Sequence, residues 1–282
     1  MKMRLFNTFY KNTTTQKQQS MIELNKIYNE DCLEGMKRIP DGSVDLVVTS
    51  PPYDNLRTYG LLKEGFTFEM FKPIAKELSR ILKEGGVIVW NVNDATIKGS
   101  ETCTSFRQVL FFKDECGLNL HDTMIWEKTC AGALGSNKCY LQNFEYMFIL
   151  SKGKLHTFNP IEDRKNVSKP NKNTTNGGLK EGKGKQRKIV TKEYGKRTNI
   201  WRVNQQQLSD HPAPFPYILA RDHIVSWSNE NDIVLDPFMG SGTTAIAAIR
   251  EKRNFIGFEL NKEYYENACK RIQLEMAQHV LF

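Results

Sequence analysis

Six short apolar runs, each with β-branched residues, place the strongest constraint on how this chain folds. They are VDLVV, GVIVWNV, DTMIW, EYMFIL, DIVLD and NFIGFEL. Continuous runs of this kind are typical of strands that are buried on both faces. Helical patterns lie between them, in EMFKPIAKELSRILKEGG, where the Gly pair is the expected helix stop, and in TAIAAIREKR. The alternation predicts an α/β fold with a Rossmann-like, mostly parallel, doubly wound sheet.

A basic, polar stretch interrupts this pattern. Residues 151–200 contain 14 Lys and Arg against 4 Asp and Glu, whereas the net charge of the whole 282-residue chain is +8. This stretch therefore carries the entire positive excess, which favours a polyanionic partner. We predict a polar N-terminal arm at 1–20, one part of the α/β core at 21–150, a basic insert at 151–199 and the second part of the same core at 200–282.

The cysteines and the hydropathy pattern limit the compartment. The six cysteines are scattered without a Cys-x-x-Cys pair, which disfavours a zinc site and a disulfide framework. We therefore expect no metal site, and reduced thiols in a cytoplasmic protein. The sequence shows no unbroken apolar run of about 20 residues, the length that spans a membrane.

The stretch DIVLDPFMGSGTTAIAA has the pattern of a ligand-binding turn. A strand ends at Asp236, the chain turns through Gly240 and Gly242 with Ser241 between them, and a helix begins near Thr243. Ligands of parallel sheets bind at the carboxyl ends of strands, where glycines allow close approach and a helix offers free N–H groups. The next strand ends in Glu259, and an acid in that place accepts the hydroxyls of a ribose. Together these residues predict an adenosine pocket.

The turn also bears on which adenosine compound binds. It lacks the third glycine of the dinucleotide fingerprint, and Asp236 would repel a pyrophosphate but can hold an ammonium group. S-adenosylmethionine has an ammonium group and no phosphate, so we expect it as the cofactor. The alternatives are a turn that serves helix packing alone and a nucleotide-dependent dehydrogenase. Phe238 suits either core packing or the edge of the pocket.

The stretch VDLVVTSPPYDNLRTYG delivers two prolines to the end of a buried strand. Pro51 and Pro52 cannot continue a ladder, so they end the strand in a stiff turn. The turn offers the Ser50 hydroxyl and the Pro51 carbonyl as acceptors, with the ring of Tyr53 beside them. Two acceptors and an aromatic face complement a planar base that carries an exocyclic NH₂ group. The alternative is an ordinary Pro-Pro loop.

These two motifs resemble those of the DNA amino-methyltransferases. TSPPY is similar to their catalytic motif and DPFMGSGTT to their cofactor motif, and the catalytic motif comes first, as in the circularly permuted beta class. The stretches IYNEDCLEGMKRIPDGSVDLVV, LSRILKEGGVIVWNV, IWEK, NFEYMFILSKG and HPAPFPYILARDHI also resemble family segments, in the same order. The resemblance extends over about residues 22 to 272 and leaves out the arm and the basic insert.

The resemblance implies a methyltransferase fold and transfer of a methyl group from S-adenosylmethionine to an exocyclic amino group of a flipped base in double-stranded DNA. It implies that Asp31 and Cys32 meet the cofactor adenine, and that His211, Pro212 and Phe215 line the cofactor pocket. It places the basic insert where these enzymes carry their target-recognition region. A homodimer and a cognate restriction endonuclease are further partners that the family implies.

The target base follows from the first residue of the catalytic motif. Ser50 resembles the subgroup that methylates cytosine N4, whereas adenine enzymes more often carry Asp or Asn at this place. We therefore predict cytosine N4, with adenine N6 as the alternative. An RNA or protein-glutamine methyltransferase and an inactive DNA-binding relative are further alternatives. The motif order and the intact motif residues speak against both.

Overall fold

The computed structural model describes residues 22–52, 65–128, 140–167, 192–204 and 216–279. The strands in these ranges are β1 Lys26–Tyr28, β2 Val44–Thr49, β3 Leu82–Val92, β4 Thr96–Ile97, β5 Ser100–Glu101, β6 Asn119–Glu127, β7 Phe144–Ser151, β8 Arg164–Lys165, β9 Tyr194–Gly195, β10 Ile200–Arg202, β11 Ile233–Asp236 and β12 Asn254–Phe258. The helices are α1 Cys32–Met36, α2 Phe68–Ile81, α3 Thr104–Asp114, α4 Tyr217–Trp227, α5 Thr243–Arg250 and α6 Lys262–His279.

Eight of these strands form one sheet in the order β1-β12-β11-β2-β3-β7-β6-β10. Neighbouring strands are parallel except around β7, which runs antiparallel to both β3 and β6. All six apolar runs of the sequence are strands of this sheet. The prediction of a mostly parallel α/β sheet is therefore confirmed.

Helices cover both faces of the sheet. On one face α4, α5 and α6 pack against residues such as Val48, Val89 and Val234. On the other face α1, α2 and α3 pack against residues such as Val47 and Ile88. Successive strand residues point to opposite faces, so a strand that is covered on both sides must be apolar throughout. This explains why the runs do not alternate.

The Gly pair of LKEGG lies within β3, so the prediction that it ends helix α2 is wrong. The helix ends at Ile81, and Leu82 already pairs with Val44 of β2. The register between β2 and β3 then shifts, because residues 83–86 of β3 lie between the pairs Val44–Leu82 and Leu46–Val87, opposite Asp45 alone. A Cβ added at Gly86 would lie 2.9 Å from the backbone oxygen of Asp45. The glycine therefore serves close contact between two strands.

Parallel pairing places five carboxyl ends at one edge of the sheet, which we call the carboxyl edge. These are the ends of β1, β12, β11, β2 and β3. The last residues of these strands, together with those that follow them, include every described residue of the predicted catalytic and cofactor motifs. In the described ranges, no helix combines the length and the apolar character needed to cross a membrane.

His223 of α4 is buried at the opposite, antiparallel half of the sheet. Its ring stacks on Trp201 with centroids 4.5 Å apart, and it accepts a hydrogen bond from Trp227 Nε1 at 3.3 Å. Burial, with a smaller effect of the Arg197 charge, lowers the pKa of His223 to about 3. The folded protein thus holds this imidazole neutral at pH values where an unfolded chain protonates it.

We expect the free energy of unfolding to fall as the pH drops from 6.5 towards 3, because only the unfolded state takes up this proton. For one such group the slope is about 1.4 kcal/mol per pH unit. Urea denaturation of the protein and of His223→Gln at pH 7, 6 and 5 tests this. The stability difference between the two proteins should shrink as the pH falls, and parallel profiles would contradict the assignment.

Candidate active site

The catalytic turn begins where β2 ends. Thr49 is the last residue of β2, and Ser50, Pro51 and Pro52 follow it outside the ladder. Since β2 lies between β11 and β3, the turn is near the centre of the carboxyl edge. Ser50 is half-buried and Pro51 is buried. The position of Tyr53 lies outside the described residues.

Ser50 is linked to a buried polar network. Asn91 Nδ2 on β3 lies 3.5 Å from Ser50 Oγ and 2.5 Å from Glu145 Oε2 on β7. The other Glu145 oxygen accepts a hydrogen bond from Lys128, which follows β6. Asn91 is fully buried and Glu145 is 5% exposed. The network thus runs from the catalytic turn across three neighbouring strands and is held by one ion pair.

Asp236 joins the cofactor turn to the catalytic strand. Its Oδ1 accepts hydrogen bonds from Thr49 Oγ1 at 2.7 Å and from the Phe238 amide at 3.0 Å. Its Oδ2 accepts one from Thr244 Oγ1 at 2.7 Å. Burial raises the pKa of Asp236, and these three hydrogen bonds oppose the shift. An ammonium-holding role for Asp236 stays a prediction.

The glycines of the cofactor turn have left-handed backbones. Gly240 has φ 52° and Gly242, the N-cap of α5, has φ 82°, a region that residues with a Cβ rarely adopt. A Cβ at Gly242 would also lie 3.2 Å from the Ala268 Cβ. Ser241 Oγ lies 3.2 Å from Thr243 Oγ1, the first residue of α5. The helix begins at Thr243, as the sequence predicts.

Glu259 follows β12 and holds the other side of this turn. Its Oε2 accepts a hydrogen bond from the Gly240 amide and its Oε1 one from the Asn261 amide, both at 2.8 Å. Burial raises the pKa of Glu259, and the two amide hydrogen bonds oppose the shift. A carboxylate offers about four acceptor positions, and the Leu260 amide is a further donor to Glu259, so this side chain retains acceptor capacity for a hydroxyl donor.

Asp31 and Cys32 follow a segment of the chain that contacts Glu259. The Glu259 amide donates to the Tyr28 carbonyl of β1 at 3.0 Å, and Asn29 Nδ2 donates to the Glu259 carbonyl at 2.8 Å. Asp31 caps helix α1 through Oδ1, which accepts from Leu33 N at 2.8 Å. Burial raises the pKa of Cys32 to about 12. This thiol is therefore protonated at neutral pH and is no nucleophile.

Phe238 is half-buried and lies in the cofactor turn, two residues after Asp236. Its ring makes an edge contact with Phe66 at 5.5 Å between centroids, and a longer one with Trp90 at 6.4 Å. These contacts are those of a packing residue. A second role at the edge of an adenosine pocket stays a prediction. His211, Pro212 and Phe215 lie outside the described residues.

Sequence reasoning placed Thr49 and Thr244 only as members of the motifs TSPPY and DPFMGSGTT, and it assigned no site role to Asn91, Lys128 or Glu145. A usable signal was present for two of them, because Asn91 and Glu145 are polar residues inside the buried runs GVIVWNV and EYMFIL. Buried polar groups need partners, so such residues indicate a network. The partners themselves depend on strand register, which the sequence does not state.

Known proteins with similar sequences and folds decide the family. Residues 44–270 match the N6_N4_Mtase family, described as DNA methylase. The chain belongs to this family of DNA methylases. Its sequence is 49% identical over 255 residues to Orphan methyltransferase M.BamHII of Bacillus amyloliquefaciens, over 86% of this chain and 94% of the relative.

Two solved structures show the same fold. PvuII DNA methyltransferase (cytosine-N4-specific) superposes with a TM-score of 0.66 at 21% identity, over 90% of this chain and 92% of its own. TTHA0409 of Thermus thermophilus, complexed with S-adenosyl-L-methionine, superposes with a TM-score of 0.57 at 25% identity. That alignment covers 88% of this chain and 95% of the other.

Family membership confirms the predicted resemblance to the beta-class amino-methyltransferases. The methylase acts on DNA, and S-adenosylmethionine is its cofactor. The carboxyl edge fits this cofactor, since Glu259 keeps acceptor capacity for ribose hydroxyls and the glycine turn opens onto the start of α5. The division into arm, core parts and insert, and the roles of single site residues, stay predictions.

We expect Lys128→Met to destabilise the fold by about 3–5 kcal/mol, because it leaves a buried carboxylate without its cation. The double variant Lys128→Met/Glu145→Gln should lose much less, and urea denaturation of all four proteins gives the coupling. The exposed pair Lys72 and Glu69 is the matched control, with a coupling of about 0.5 kcal/mol or less. Additive losses at Lys128 and Glu145 would contradict the ion-pair role.

Proposed function

We propose that this methylase transfers a methyl group to the N4 amino group of a cytosine that is rotated out of duplex DNA. One observation carries the proposal: Thr49, next to Ser50, donates to Asp236 of the cofactor turn at 2.7 Å. The predicted acceptor for the base and the predicted cofactor turn are thus neighbours at one edge of the sheet. Their adjacency is what a direct transfer between base and cofactor needs.

The catalytic turn supplies acceptors to a poor nucleophile. The lone pair of an exocyclic amine is delocalised into its ring, so the nitrogen must become tetrahedral before it bonds to carbon. Ser50 Oγ and the Pro51 carbonyl accept the two N–H groups and favour that geometry, stabilising the transition state more than the ground state. When bound, S-adenosylmethionine would supply an electrophilic methyl group and would leave as the neutral thioether once its S–CH₃ bond breaks, and the methylated nitrogen releases one proton to solvent. Asn91 orients Ser50 Oγ through the contact of 3.5 Å.

Each part of the cofactor is assigned to residues at the ends of particular strands of the carboxyl edge. Glu259 accepts ribose hydroxyls, and Asp31 and Cys32 contact the adenine. The turn of Gly240, Ser241, Gly242 and Thr243 allows close approach, with Asp236 towards the ammonium group. Phe238 forms an edge of the pocket, and His211, Pro212 and Phe215 form its wall.

Access to the base requires flipping. An amino group that is stacked in duplex DNA cannot reach a turn at a strand end, and extrusion costs a few kcal/mol. The ring of Tyr53 recovers part of that cost by stacking on the base. The basic insert at 151–199 supplies phosphate contacts and the target-recognition region. Phosphate contacts give affinity, whereas contacts to base edges give sequence preference.

The biological setting is proposed from the relative and the family. The relative M.BamHII is named an orphan methyltransferase, which favours a methylase that acts without a cognate restriction endonuclease. A homodimer, a partner endonuclease and a cytoplasmic location stay predictions. Gel filtration with light scattering tests the dimer directly.

The central test is chemical identification of the product. Duplex DNA is incubated with the enzyme and labelled S-adenosylmethionine, digested to nucleosides and analysed by mass spectrometry. We expect N4-methylcytosine that carries the label. N6-methyladenine would replace the proposed base with the alternative, and absence of any labelled base would overturn the function.

We expect Ser50→Ala to lower kcat by about 10²–10³-fold, because it removes an acceptor used in the transition state. The KM for the cofactor should change by less than about twofold. Ser43→Ala is the control, since Ser43 precedes the opposite end of β2. Equal activity of Ser50→Ala and Ser43→Ala would remove Ser50 from the mechanism.

The basic insert is tested by charge neutralisation. We expect Lys180→Gln/Lys183→Gln/Lys185→Gln to weaken duplex binding, and to flatten the slope of log affinity against log salt by about 0.9 per lost phosphate contact. Substitution of the exposed Lys76, Lys113 and Lys252 by Gln is the control of equal charge. Equal salt slopes for both triple variants would contradict a specific role of the insert.

A further inference from the structure

The carboxylate of Asp236 forms a bridge between two hydroxyl groups on different elements. Thr49 Oγ1 at the end of β2 and Thr244 Oγ1 in the first turn of α5 both donate to it at 2.7 Å. Exposure is 1% for Thr49, 4% for Asp236 and 2% for Thr244. All three side chains are therefore enclosed in the protein, and water does not compete for these hydrogen bonds.

The bridge continues where the backbone ladder stops. The last paired residues between β11 and β2 are Leu235 and Val47. Beyond them, β2 goes on to Thr49 and the catalytic turn, while β11 ends at Asp236 and enters the cofactor turn. The hydroxyl–carboxylate contacts thus link the two turns past the end of the ladder. Thr49 and Asp236 still pair with β3 and β12 on their other sides, so the hydroxyl–carboxylate contact is the direct link between β2 and β11 at this level.

Burying the carboxylate of this bridge costs free energy. A buried carboxylate loses hydration, and burial raises the pKa of Asp236. Hydrogen bonds to an ionised acceptor are shorter and stronger than neutral ones, which offsets part of this loss. Apolar side chains would be buried at lower cost, as Val48 and Leu235 are one residue earlier on the two strands. Stability alone therefore does not explain why polar residues are present at these three positions.

We propose that Thr49, Asp236 and Thr244 form a positioning bridge that sets the catalytic turn against the cofactor turn. The hydrogen bond of Thr49 positions the catalytic turn, and the hydrogen bond of Thr244 positions the start of α5 at the cofactor turn. The inference rests on the proposed function, since it assigns the target amino group to the turn at Ser50.

Small displacements at this junction have large kinetic effects. Reacting atoms must approach to about 3–3.5 Å in line, and an error of about 1 Å can cost about 100-fold in rate. Thr49 precedes Ser50 in the chain, so loss of its hydrogen bond leaves the start of the catalytic turn held on the β3 side alone. Thr244 is in α5, so loss of its hydrogen bond frees the helix end that closes the glycine turn.

The test uses two matched variants that each remove one hydroxyl from the same carboxylate. We expect Thr49→Val to lower kcat about 10- to 100-fold while the cofactor Kd, measured by calorimetry without DNA, stays within about twofold. We expect Thr244→Val to weaken the cofactor Kd about 10-fold while kcat at saturating cofactor stays within about threefold. Thr49→Ser and Thr244→Ser keep the hydroxyl and should restore both values.

The outcomes separate positioning from simple stability. Each valine variant removes one donor from Asp236: Oδ1 keeps the Phe238 amide in Thr49→Val, whereas Oδ2 loses the Thr244 hydroxyl in Thr244→Val. A structural role alone therefore predicts a larger loss of Tm for Thr244→Val, with the same kinetic pattern in both variants. Identical patterns, or no rescue by serine, would overturn the bridge. Assays are run well below each variant's Tm, which keeps the comparison valid for the least stable protein.

Failure of the bridge is distinguishable from failure of the proposed function. If Ser50→Ala loses activity and Thr49→Val keeps it, the function stands and the bridge is overturned. If Ser50→Ala keeps full activity, the assignment of the base to this turn is overturned, and the bridge falls with it. The calorimetric Kd of Thr244→Val reports on the cofactor side in either case.

Discussion

Parallel pairing of β12, β11, β2 and β3 is the constraint on which the rest of the structure depends. It brings the carboxyl ends of strands that are distant in sequence to one edge. The chain between β2 and β11 can then vary in length and charge without changing what meets there. Circular permutation of the motifs is compatible with one active site for this reason, because spatial order is set by the sheet and not by sequence order.

Sequence pattern predicted most of the fold because burial on both faces leaves a strong signal. Each of the six apolar runs is a strand, and Thr243 begins a helix as expected. The error at LKEGG has a physical cause. A Gly pair after a helical pattern usually marks a C-cap, but here the close backbone of Asp45 requires Gly86 within a bulged strand. Contacts between strands overrode a local preference.

The site could be predicted only as far as strand tips and turns define it. Asp236 and Glu259 could be placed at strand ends because each closes an apolar run, and their roles at the site stay predictions. The partners of Ser50 and Asp236 were not recognisable, because they depend on register between separate strands. Asn91 meets Glu145 from 54 positions away, and Thr49 meets Asp236 from 187. No local pattern encodes such distances, although polar residues within apolar runs reveal that some partner exists.

The buried polar groups differ between the two halves of the sheet. On the antiparallel half, His223 is held neutral among Trp201, Trp227 and Met147, and its cost appears only at low pH. At the carboxyl edge, Asp236 and Glu145 are buried acids, each with several hydrogen-bond donors. Charge in a core is tolerated when every donor is placed by rigid elements. A sheet that supplies such rigidity can therefore hold a hydroxyl and a glycine turn at a fixed separation, which is the physical requirement for transferring one methyl group between two bound molecules.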